Sequence, residues 1–325
     1  MLENRIFNIS SDEEFVQTSL DVFKFQYDNN KVYQRFCDLL GRDPLNVSSL
    51  KEIPFLPIEF FKSQRILSSQ KEAVITFTSS GTTGSNTSKH YVTDLGIYEE
   101  SFIRGFEKFY GKPEDLVILA LLPSYLEREG SSLIYMVNSL IEQSEQPESG
   151  FYLHNLEELS ERLKELDRQG KPILLIGVSF ALMDLVEAYS FNLKNTIVME
   201  TGGMKGRRKE MIRKELHKIL AEGFGVKNIH SEYGMTELLS QAYSKGNGIF
   251  ECPPWMKLLI RDPEDALTYL PRNKTGGLNI IDLANLNSCS FIATQDLGKE
   301  ISYNNYEILG RFDNSDIRGC NLMVL

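Results

Sequence analysis

The sequence predicts an α/β fold with a largely parallel central sheet and a smaller β-rich subdomain. Continuous apolar runs at residues 117–122 and 173–178 have the length and composition of strands that are buried on both faces. Amphipathic helical patterns alternate with such strands from about residue 73 to about 235, as in sheets built from βαβ units. Beyond that region, short β-like pieces replace the alternation, which predicts the subdomain.

Composition limits the class of protein. The chain has 325 residues, of which 42% are hydrophobic and 25% charged, values that fit a globular protein of one large or two fused domains. The formal net charge of −10 argues against nucleic-acid binding, which needs a basic face. No apolar stretch approaches the roughly 18 residues of a membrane span, and no signal peptide is visible.

The spacing of cysteine and histidine predicts no metal cluster. The 4 cysteines and 4 histidines are widely scattered, and no CxxC pair occurs. Neither a zinc site nor a disulfide framework is therefore expected. Reduced thiols fit a cytoplasmic protein best.

The first elements read as helical. Ser10 and Ser11 precede an acidic first turn, Asp12 to Glu14, which predicts a helix N-cap. A second helix is expected over residues 30–40, where Gly41 ends it. Residues 53–58 form an extended prolyl segment.

The later elements alternate strand and helix. Strands are expected at residues 73–75, 90–93, 117–122, 173–178, 196–199 and 225–231, and helices at 95–110, 131–143, 155–168, 180–189 and from near Lys209. Over residues 248–305 the β-like pieces are separated by Pro253-Pro254, Gly276-Gly277 and Asp296-Leu297-Gly298.

A hydroxyl-rich loop lies between the first two of these strands. Residues 76–87 consist almost entirely of Ser, Thr, Gly and Asn, so they cannot build a core. Small side chains expose backbone N–H groups, and glycine permits the turns with positive φ that surround a phosphate. The alternative is a flexible Ser/Gly linker.

Polar segments that contain glycine follow several predicted strands, and the hydroxyl-rich loop is the first of them. They lie at residues 78–85, 200–204, 231–237 and 294–298, and a fifth lies at 310–313. Ligands of α/β proteins collect at the carboxyl ends of strands. We therefore expect these segments to contribute to one cleft.

Taken in order, the segments resemble the motifs of the adenylate-forming (AMP-binding) superfamily. Residues 78–84 resemble its Ser/Thr/Gly phosphate loop, and Tyr-Gly-Met-Thr-Glu at 233–237 matches its YGxTE segment. Residues 294–298 resemble its T-x-D-x-G segment, and Gly310-Arg311, followed by Asp313, resembles its GRxD hinge. The resemblance covers roughly residues 55–320.

Within the superfamily, the chain most resembles the acyl-protein synthetases of the bacterial luminescence fatty-acid reductase complex. These are short, and residues 317–322 resemble their cysteine-containing tail. The resemblance implies a large adenylate-forming N-terminal-type domain, with the mobile C-terminal domain absent or vestigial. It divides the chain into an N-terminal helical segment (1–72), an α/β nucleotide-binding core (73–240), a β-rich subdomain (241–309) and a hinge-like tail (310–325).

The resemblance also implies a role for each motif residue. Thr236 would contact the α-phosphate of ATP, Glu237 would hold Mg²⁺, and Tyr233 would stack on adenine. Asp296 would accept hydrogen bonds from the ribose hydroxyls, Arg311 would bind the ribose or the adenylate, and Cys320 would accept the acyl group. The β- and γ-phosphates would be held by Ser79, Ser80, Gly81, Thr82, Thr83 and Gly84, and the adenine pocket would be lined by Gly202, Gly203 and Met204.

Ordinary structural roles remain as alternatives. Asp296 could be the aspartate of a β-turn before Gly298, Glu237 could lie in a surface salt bridge, and Arg311 could be a surface arginine. Met204, Tyr125 and Phe180 could line an acyl pocket, but core packing is the default explanation for such residues. Cys320 could be incidental.

The chain departs from the superfamily pattern at its cations. The Pro-Lys that usually follows the phosphate loop is missing, and Lys89 comes two residues late. The lysine of the terminal domain has no counterpart, so Lys205, Arg207 and Arg208 are candidates to replace it, although a solvent-facing helix start explains them as well.

The expected function is ATP- and Mg²⁺-dependent activation of a carboxylic, preferably fatty, acid as an acyl-adenylate. The acyl group would then move to a protein cysteine for delivery to an acyl-reductase or acyl-transferase partner. One alternative is an acyl- or aryl-CoA or carrier-protein ligase of the same superfamily. Another is a nucleotide-binding module without turnover.

Overall fold

The computed structural model of the chain describes residues 2–79, 87–123, 130–153, 155–202 and 211–311. They belong to two compact units. The antiparallel unit comprises Met1–Val74, His90–Asp94 and Pro254–Leu325, of which the last described residue is Arg311. The parallel unit comprises Ile75–Lys89 and Leu95–Pro253. The four-part division of the chain stays a prediction.

In the described part of the chain, helices and strands alternate from residue 117 to residue 233, whereas the first elements are three helices and the elements after residue 233 are mostly strands. The helices are α1 (Leu2–Ile6), α2 (Asp12–Asn29), α3 (Lys31–Leu39), α4 (Phe60–Ser63), α5 (Leu95–Tyr110), α6 (Ser132–Ser144), α7 (Leu156–Arg168), α8 (Ser179–Ala188) and α9 (Arg213–Phe224), with short 3₁₀ helices at Pro113–Asp115 and Leu283–Asn285. The strands are β1 (Leu56–Pro57), β2 (Ile75–Thr78), β3 (Lys89–Val92), β4 (Val117–Leu121), β5 (Gly150–Tyr152), β6 (Ile173–Val178), β7 (Thr196–Thr201), β8 (His230–Tyr233), β9 (Ala242–Ser244), β10 (Ile249–Glu251), β11 (Met256–Arg261), β12 (Gly276–Asp282), β13 (Phe291–Ser302) and β14 (Asn305–Arg311).

The parallel unit contains the predicted central sheet. Its strand order is β5-β4-β6-β7-β8-β9-β10, with parallel pairing from β5 to β8 and antiparallel pairing beyond. Every residue of β4 and β6 is buried, as their continuous apolar composition predicts. Because α6 to α9 intervene between successive parallel strands, the carboxyl ends of β4 to β8 lie at one edge of the sheet.

The antiparallel unit contains the β-rich subdomain. Its strand order is β11-β12-β13-β14, and β1 pairs in parallel with the first half of β13. A group of aromatic side chains forms its core, in which the rings of Tyr33 and Phe291 stack with centroids 6.1 Å apart. Phe23 and Phe55 meet Phe291 edge-on.

Two of the three predicted separators in this region are wrong. Gly276-Gly277 lies inside β12, and Asp296-Leu297-Gly298 lies inside β13, a strand of 12 residues. The β-turn alternative for Asp296 is therefore wrong as well. These glycines serve close approach instead of a turn: a Cβ on Gly298 would lie 2.7 Å from the carbonyl oxygen of Glu307.

The N-terminal helices begin and end where local chemistry predicts. Ser11 caps α2, because its side chain accepts a hydrogen bond from the Glu14 amide. The Asn30 amide donates to the Gln26 carbonyl oxygen at the end of α2. The side-chain oxygen of Asn30 accepts from the Tyr33 amide and so caps α3. Gln26 of α2 donates to the carbonyl oxygens of Asn285 and Leu286, which ties the helix to the sheet of its unit.

Two strands lie later in the chain than the sequence predicts. The strand expected at residues 73–75 is β2, which runs from Ile75 to Thr78 and so includes the first residues of the predicted hydroxyl-rich loop. The strand expected at residues 225–231 is β8, which begins at His230 and continues through Tyr233. Gly225 instead ends α9 in a left-handed conformation, with φ of 68°. Among the described residues, no helix combines the length and apolarity that a membrane crossing needs.

Candidate functional site

Two candidate residues lie side by side at the carboxyl edge of the parallel sheet. β7 and β8 pair in parallel with Thr201 opposite Glu232, so Gly202 follows one strand at the level where Tyr233 ends the other. Gly202 has a φ of 67°, a conformation that side chains with a Cβ rarely adopt. The edge therefore exposes one sharp turn next to one aromatic side chain.

Tyr233 is half-buried and contacts another ring. Its ring meets Phe250 of β10 edge-on, with centroids 6.2 Å apart. The guanidinium of Arg213 lies 4.9 Å from the centroid of the Phe250 ring, so a cation supports the same aromatic group. The contact with Phe250 therefore holds the Tyr233 ring in place from one side.

Thr236 and Glu237 lie in the turn that follows β8. Thr236 is half-buried and Glu237 is buried, with 6% of its surface exposed. A carboxylate and phosphate oxygens are the hard oxygen ligands that Mg²⁺ prefers. The donor chemistry of Glu237 therefore fits the metal role that the sequence predicts for it.

The base of the hydroxyl-rich loop is closed by two hydrogen bonds. The Ser79 amide donates to the Ser88 carbonyl oxygen over 3.1 Å, and the Ser88 amide donates to the Ser79 hydroxyl over 2.9 Å. Thr78, the last residue of β2, donates from its amide to the carbonyl oxygen of Gly130. Ser79 therefore anchors the loop that it was predicted to share with residues 80–84, and Lys89 is exposed at the start of β3.

Asp296 and Arg311 belong to the antiparallel unit, where they are partners. They lie opposite each other in the pairing of β13 with β14, and Arg311 Nε lies 3.7 Å from Asp296 Oδ1. The side chain of Asp296 is 13% exposed and that of Arg311 is 83% exposed. The Asp296 amide donates to the Thr294 hydroxyl over 3.1 Å, which fixes the backbone beside the carboxylate.

Several predicted positions lie outside the described residues. They are Ser80, Gly81, Thr82, Thr83, Gly84, Tyr125, Gly203, Met204, Lys205, Arg207, Arg208, Asp313 and Cys320. Their assignments, like the roles of the described site residues, stay predictions.

Sequence reasoning missed a buried carboxylate in β7. Glu200 Oε1 lies 3.3 Å from Arg213 Nε and 3.4 Å from His217 Nε2, and Glu200 Oε2 accepts from the Ser179 hydroxyl. Burial acts to raise the pKa of Glu200, but the hydrogen bond from His217 and the charge of Arg213 together hold it below its usual value. Glu200 is therefore an ionised carboxylate inside the unit.

A second missed carboxylate lies in β8. Glu232 accepts a hydrogen bond from the Thr201 hydroxyl over 2.5 Å. Burial raises the pKa of Glu232 to about 7, and the nearby charge of Glu200 adds to this effect. A Cβ on Gly234 would lie 2.4 Å from Glu232 Oε1, so the glycine of the YGxTE segment makes room for this side chain. The sequence signal that could have indicated these two carboxylates is that Glu200 and Glu232 each lie one residue before the end of a strand.

Solved structures share the fold. A structure of 2-hydroxyisobutyryl-CoA ligase in complex with 2-HIB-AMP and CoA is similar with a TM-score of 0.69 at 14% identity, over 94% of this chain and 77% of that one. ATP-bound MatB from Rhodopseudomonas palustris is similar with a TM-score of 0.55 at 16% identity, over 75% of this chain and 48% of that one. The expected adenylate-forming fold class is thereby confirmed.

Sequence comparison identifies the family. The long-chain-fatty-acid–luciferin-component ligase of Vibrio harveyi is 23% identical over an alignment of 338 residues. The alignment covers 93% of this chain and 85% of that protein. The family model described as "Acyl-protein synthetase, LuxE" matches residues 1–97 and 132–325. The chain therefore belongs to the LuxE acyl-protein synthetase family and is an AMP-forming acyl-protein ligase, which activates a carboxylic acid as an acyl-adenylate.

Proposed function

We propose that the chain activates a long-chain fatty acid with ATP and transfers the acyl group to its own Cys320. The observation that carries the proposal is the register of β7 and β8, which puts the Gly202 turn beside Tyr233 with Thr236 and Glu237 directly after them. Such an edge offers a flat space for a base, an aromatic ring to stack on it, and hydroxyl and carboxylate groups for its phosphates. The name of the Vibrio harveyi relative supports the long-chain acid.

In the first step, a carboxylate oxygen of the acid attacks the α-phosphorus of ATP. The bond between that phosphorus and the bridging oxygen breaks, and pyrophosphate leaves with the electron pair. Thr236 would donate a hydrogen bond to the α-phosphate, while Ser79 and residues 80–84 would hold the β- and γ-phosphates. Donors that are fixed before the reaction stabilise the charge that develops in the transition state.

Glu237 would hold Mg²⁺ together with phosphate oxygens. The metal would supply positive charge against the phosphate chain. Tyr233 would keep the adenine in place, and the carboxylate of Asp296 would accept hydrogen bonds from both ribose hydroxyls. Arg311, which is largely exposed beside Asp296, would contribute a permanent cation to the ribose or the adenylate.

In the second step, the thiolate of Cys320 attacks the acyl carbonyl carbon. A thioester forms, the bond from that carbon to the phosphate oxygen breaks, and AMP leaves. A thioester keeps the acyl group reactive toward a later nucleophile or reductant. An acyl-reductase or acyl-transferase partner would take the acyl group from Cys320.

Labelled fatty acid distinguishes the two steps. The purified chain is incubated with ATP, Mg²⁺ and a labelled long-chain fatty acid, and pyrophosphate release and protein-bound label are both measured. The Cys320→Ala variant should release pyrophosphate but carry no label that neutral hydroxylamine can remove. Glu237→Gln should lower pyrophosphate release by roughly 10²-fold, the usual effect of losing one group that stabilises the transition state.

A matched cysteine gives the control. Cys252 is buried in the parallel unit, so Cys252→Ala should keep the label. Label that persists on Cys320→Ala would contradict the acceptor assignment. Thioester formation on added coenzyme A, without labelling of the protein, would instead assign the chain to coenzyme A ligation.

A further inference from the structure

An irregularity in the sheet of the antiparallel unit lies at the predicted ribose carboxylate. In the pairing of β12 with β13, Gly277 lies opposite Leu297 and Asn279 lies opposite Ala293. Between these pairs β12 has one residue, Leu278, whereas β13 has Thr294, Gln295 and Asp296. β13 therefore bulges outward there, and bulges commonly aim a side chain at a site.

The guanidinium of Arg261 lies inside this bulge. Its Nη1 donates to the Leu278 carbonyl oxygen over 2.7 Å and to Asn279 Oδ1 over 2.9 Å, and its Nη2 donates to the Thr294 carbonyl oxygen over 2.5 Å. Leu278 and Thr294 have no partner in the register of β12 with β13. Arg261 thus supplies donors to the two carbonyl groups on either side of the interruption, which unpaired burial would penalise.

Two glycines leave the space that Arg261 occupies. A Cβ on Gly277 would lie 2.5 Å from Arg261 Cζ, and a Cβ on Gly276 would lie 2.2 Å from the Arg261 carbonyl oxygen. Burial lowers the pKa of Arg261, while the charges of Glu59 and Asp296 act in the opposite direction. The charges of these two carboxylates therefore favour the cationic form of Arg261.

A continuous set of hydrogen bonds joins Arg261 to the backbone of Asp296. The Thr294 hydroxyl donates to the same Leu278 carbonyl oxygen over 3.0 Å, and it accepts from the Asp296 amide over 3.1 Å. Arg261 holds the carbonyl of Thr294, and Thr294 holds the amide of Asp296. The direction of the Asp296 carboxylate consequently depends on a side chain from β11.

We propose that Arg261 is a positioning residue that keeps the β13 bulge in the shape in which Asp296 can accept both ribose hydroxyls. The inference rests on the proposed ribose role of Asp296. Arg261 itself does not touch the nucleotide; it acts through Leu278, Thr294 and the backbone. Lysine cannot replace it, because one ammonium group cannot reach the three oxygens that a planar guanidinium contacts at fixed angles.

Binding of two nucleotides separates positioning from general stability. Calorimetry measures the dissociation constants of ATP and 2′,3′-dideoxyATP, each with Mg²⁺, for the unmodified chain, Arg261→Lys and Asn279→Ala. The second variant loosens the guanidinium without removing it, so the test does not depend on the folding of the first. Arg272→Lys is the matched control, because Arg272 pairs with Glu300 of the same sheet and is largely exposed.

The unmodified chain should bind ATP at least about tenfold more tightly than 2′,3′-dideoxyATP, since a hydrogen bond to a carboxylate contributes that much or more. Arg261→Lys should abolish most of this ratio, and Asn279→Ala should reduce it by about threefold. Both should leave the affinity for 2′,3′-dideoxyATP within about twofold. Arg272→Lys should keep the full ratio.

Two results would overturn the inference while leaving the proposed function intact. In one, both variants keep the ratio of the unmodified chain. In the other, both nucleotides weaken equally, which indicates a structural role only. An unmodified chain that binds the two nucleotides equally well would instead contradict the ribose role of Asp296, and the inference would fall with it.

Discussion

Glu200 and Glu232 lie on adjacent strands of one sheet, yet their surroundings favour opposite charge states. Glu200 pairs with Ser231 and Thr201 pairs with Glu232, so the two carboxylates are one step apart in register and point to opposite faces. On the Glu200 face, α9 supplies Arg213 and His217. On the Glu232 face, the neighbours are the Thr201 hydroxyl and the phenol groups of Tyr110 and Tyr243.

The difference shows that burial alone does not decide the charge of an interior carboxylate. Both side chains are more than nine-tenths buried. Glu200 keeps its charge because two potential cations from α9 lie against it, whereas Glu232 holds a proton more tightly than a free glutamate does. The sheet therefore has an anionic group on one face and, below about pH 7, a protonated acid on the other, one residue below the predicted nucleotide edge.

Amide substitution should affect the two positions unequally, and the difference is the largest effect that we expect. Glu200→Gln should lower the free energy of unfolding by about 2–3 kcal/mol, because it removes the counter-charge of Arg213 and His217. The loss stays below that of a fully buried pair, since the side chain of Arg213 is 30% exposed. Glu232→Gln should not lower the free energy of unfolding at pH 6, because glutamine resembles the protonated acid and, unlike glutamate, does not ionise in the unfolded chain.

Urea unfolding at pH 6 checks both variants against the unmodified chain. Equal losses at the two positions would contradict the assignment of opposite charge states. A larger loss for Glu232→Gln than for Glu200→Gln would reverse it.

A substitution that crowds the carboxyl group of Glu232 should have a smaller effect on the free energy of unfolding. In Gly234→Ala, the new methyl group would lie 2.4 Å from Glu232 Oε1, so the side chain must move away from Thr201. We expect a loss of about 1–2 kcal/mol in the free energy of unfolding. Combined with Glu232→Ala, the loss should be smaller than the sum of the two single losses, because the clash disappears.

Gly105→Ala in α5 is the matched control. No atom lies within 4 Å of the Cβ that it would add, so it should not destabilise the unit. Strictly additive losses for the Gly234 and Glu232 variants would show that the two side chains do not compete for the same space.

The change in the free energy of unfolding per pH unit should be the smallest of the three effects. Glu232 has its pKa raised from 4.5 to about 7 in the folded chain. Between these values the folded state keeps a proton that the unfolded state has lost. The contribution of Glu232 is therefore complete below pH 4.5 and is lost as pH rises toward 7, at no more than about 1.4 kcal/mol per pH unit.

Comparison of the unmodified chain with Glu232→Gln isolates this contribution. The stability difference between them should shift in favour of the variant as pH rises from 5 to 7, and should stay constant above pH 8. A difference that does not change over this range would contradict the raised pKa.

The regular elements with a strong local signal were predictable. β4 and β6 follow from continuous apolar runs, and the start of α2 follows from its cap at Ser11, whereas the three-residue strand β5 has no such signal and was not predicted. The glycines of β12 and β13 were misread for a physical reason. From a single sequence, a glycine that permits a turn cannot be distinguished from a glycine that permits the close approach of Arg261 or Glu307.

The candidate site was predictable only where its residues form a motif with fixed spacing. The residues at 233–237 could be found because all of them lie in one short segment. Glu200, Glu232 and Arg261 could not be found in this way, because their partners come from other strands and from a helix. The burial of a charged group depends on which elements pack against it, and a single sequence does not contain that information directly.

Arg261 and Gly277 have a consequence for how this sequence can change. With arginine at 261, a Cβ at 277 would lie 2.5 Å from the guanidinium carbon, so any larger residue at 277 requires the arginine to move. With glycine at 277, a short residue at 261 would leave an empty space and would remove the guanidinium donors from the carbonyl oxygens of Leu278 and Thr294. Exchange of either residue alone should therefore cost stability, so we expect positions 261 and 277 to change together when related sequences diverge.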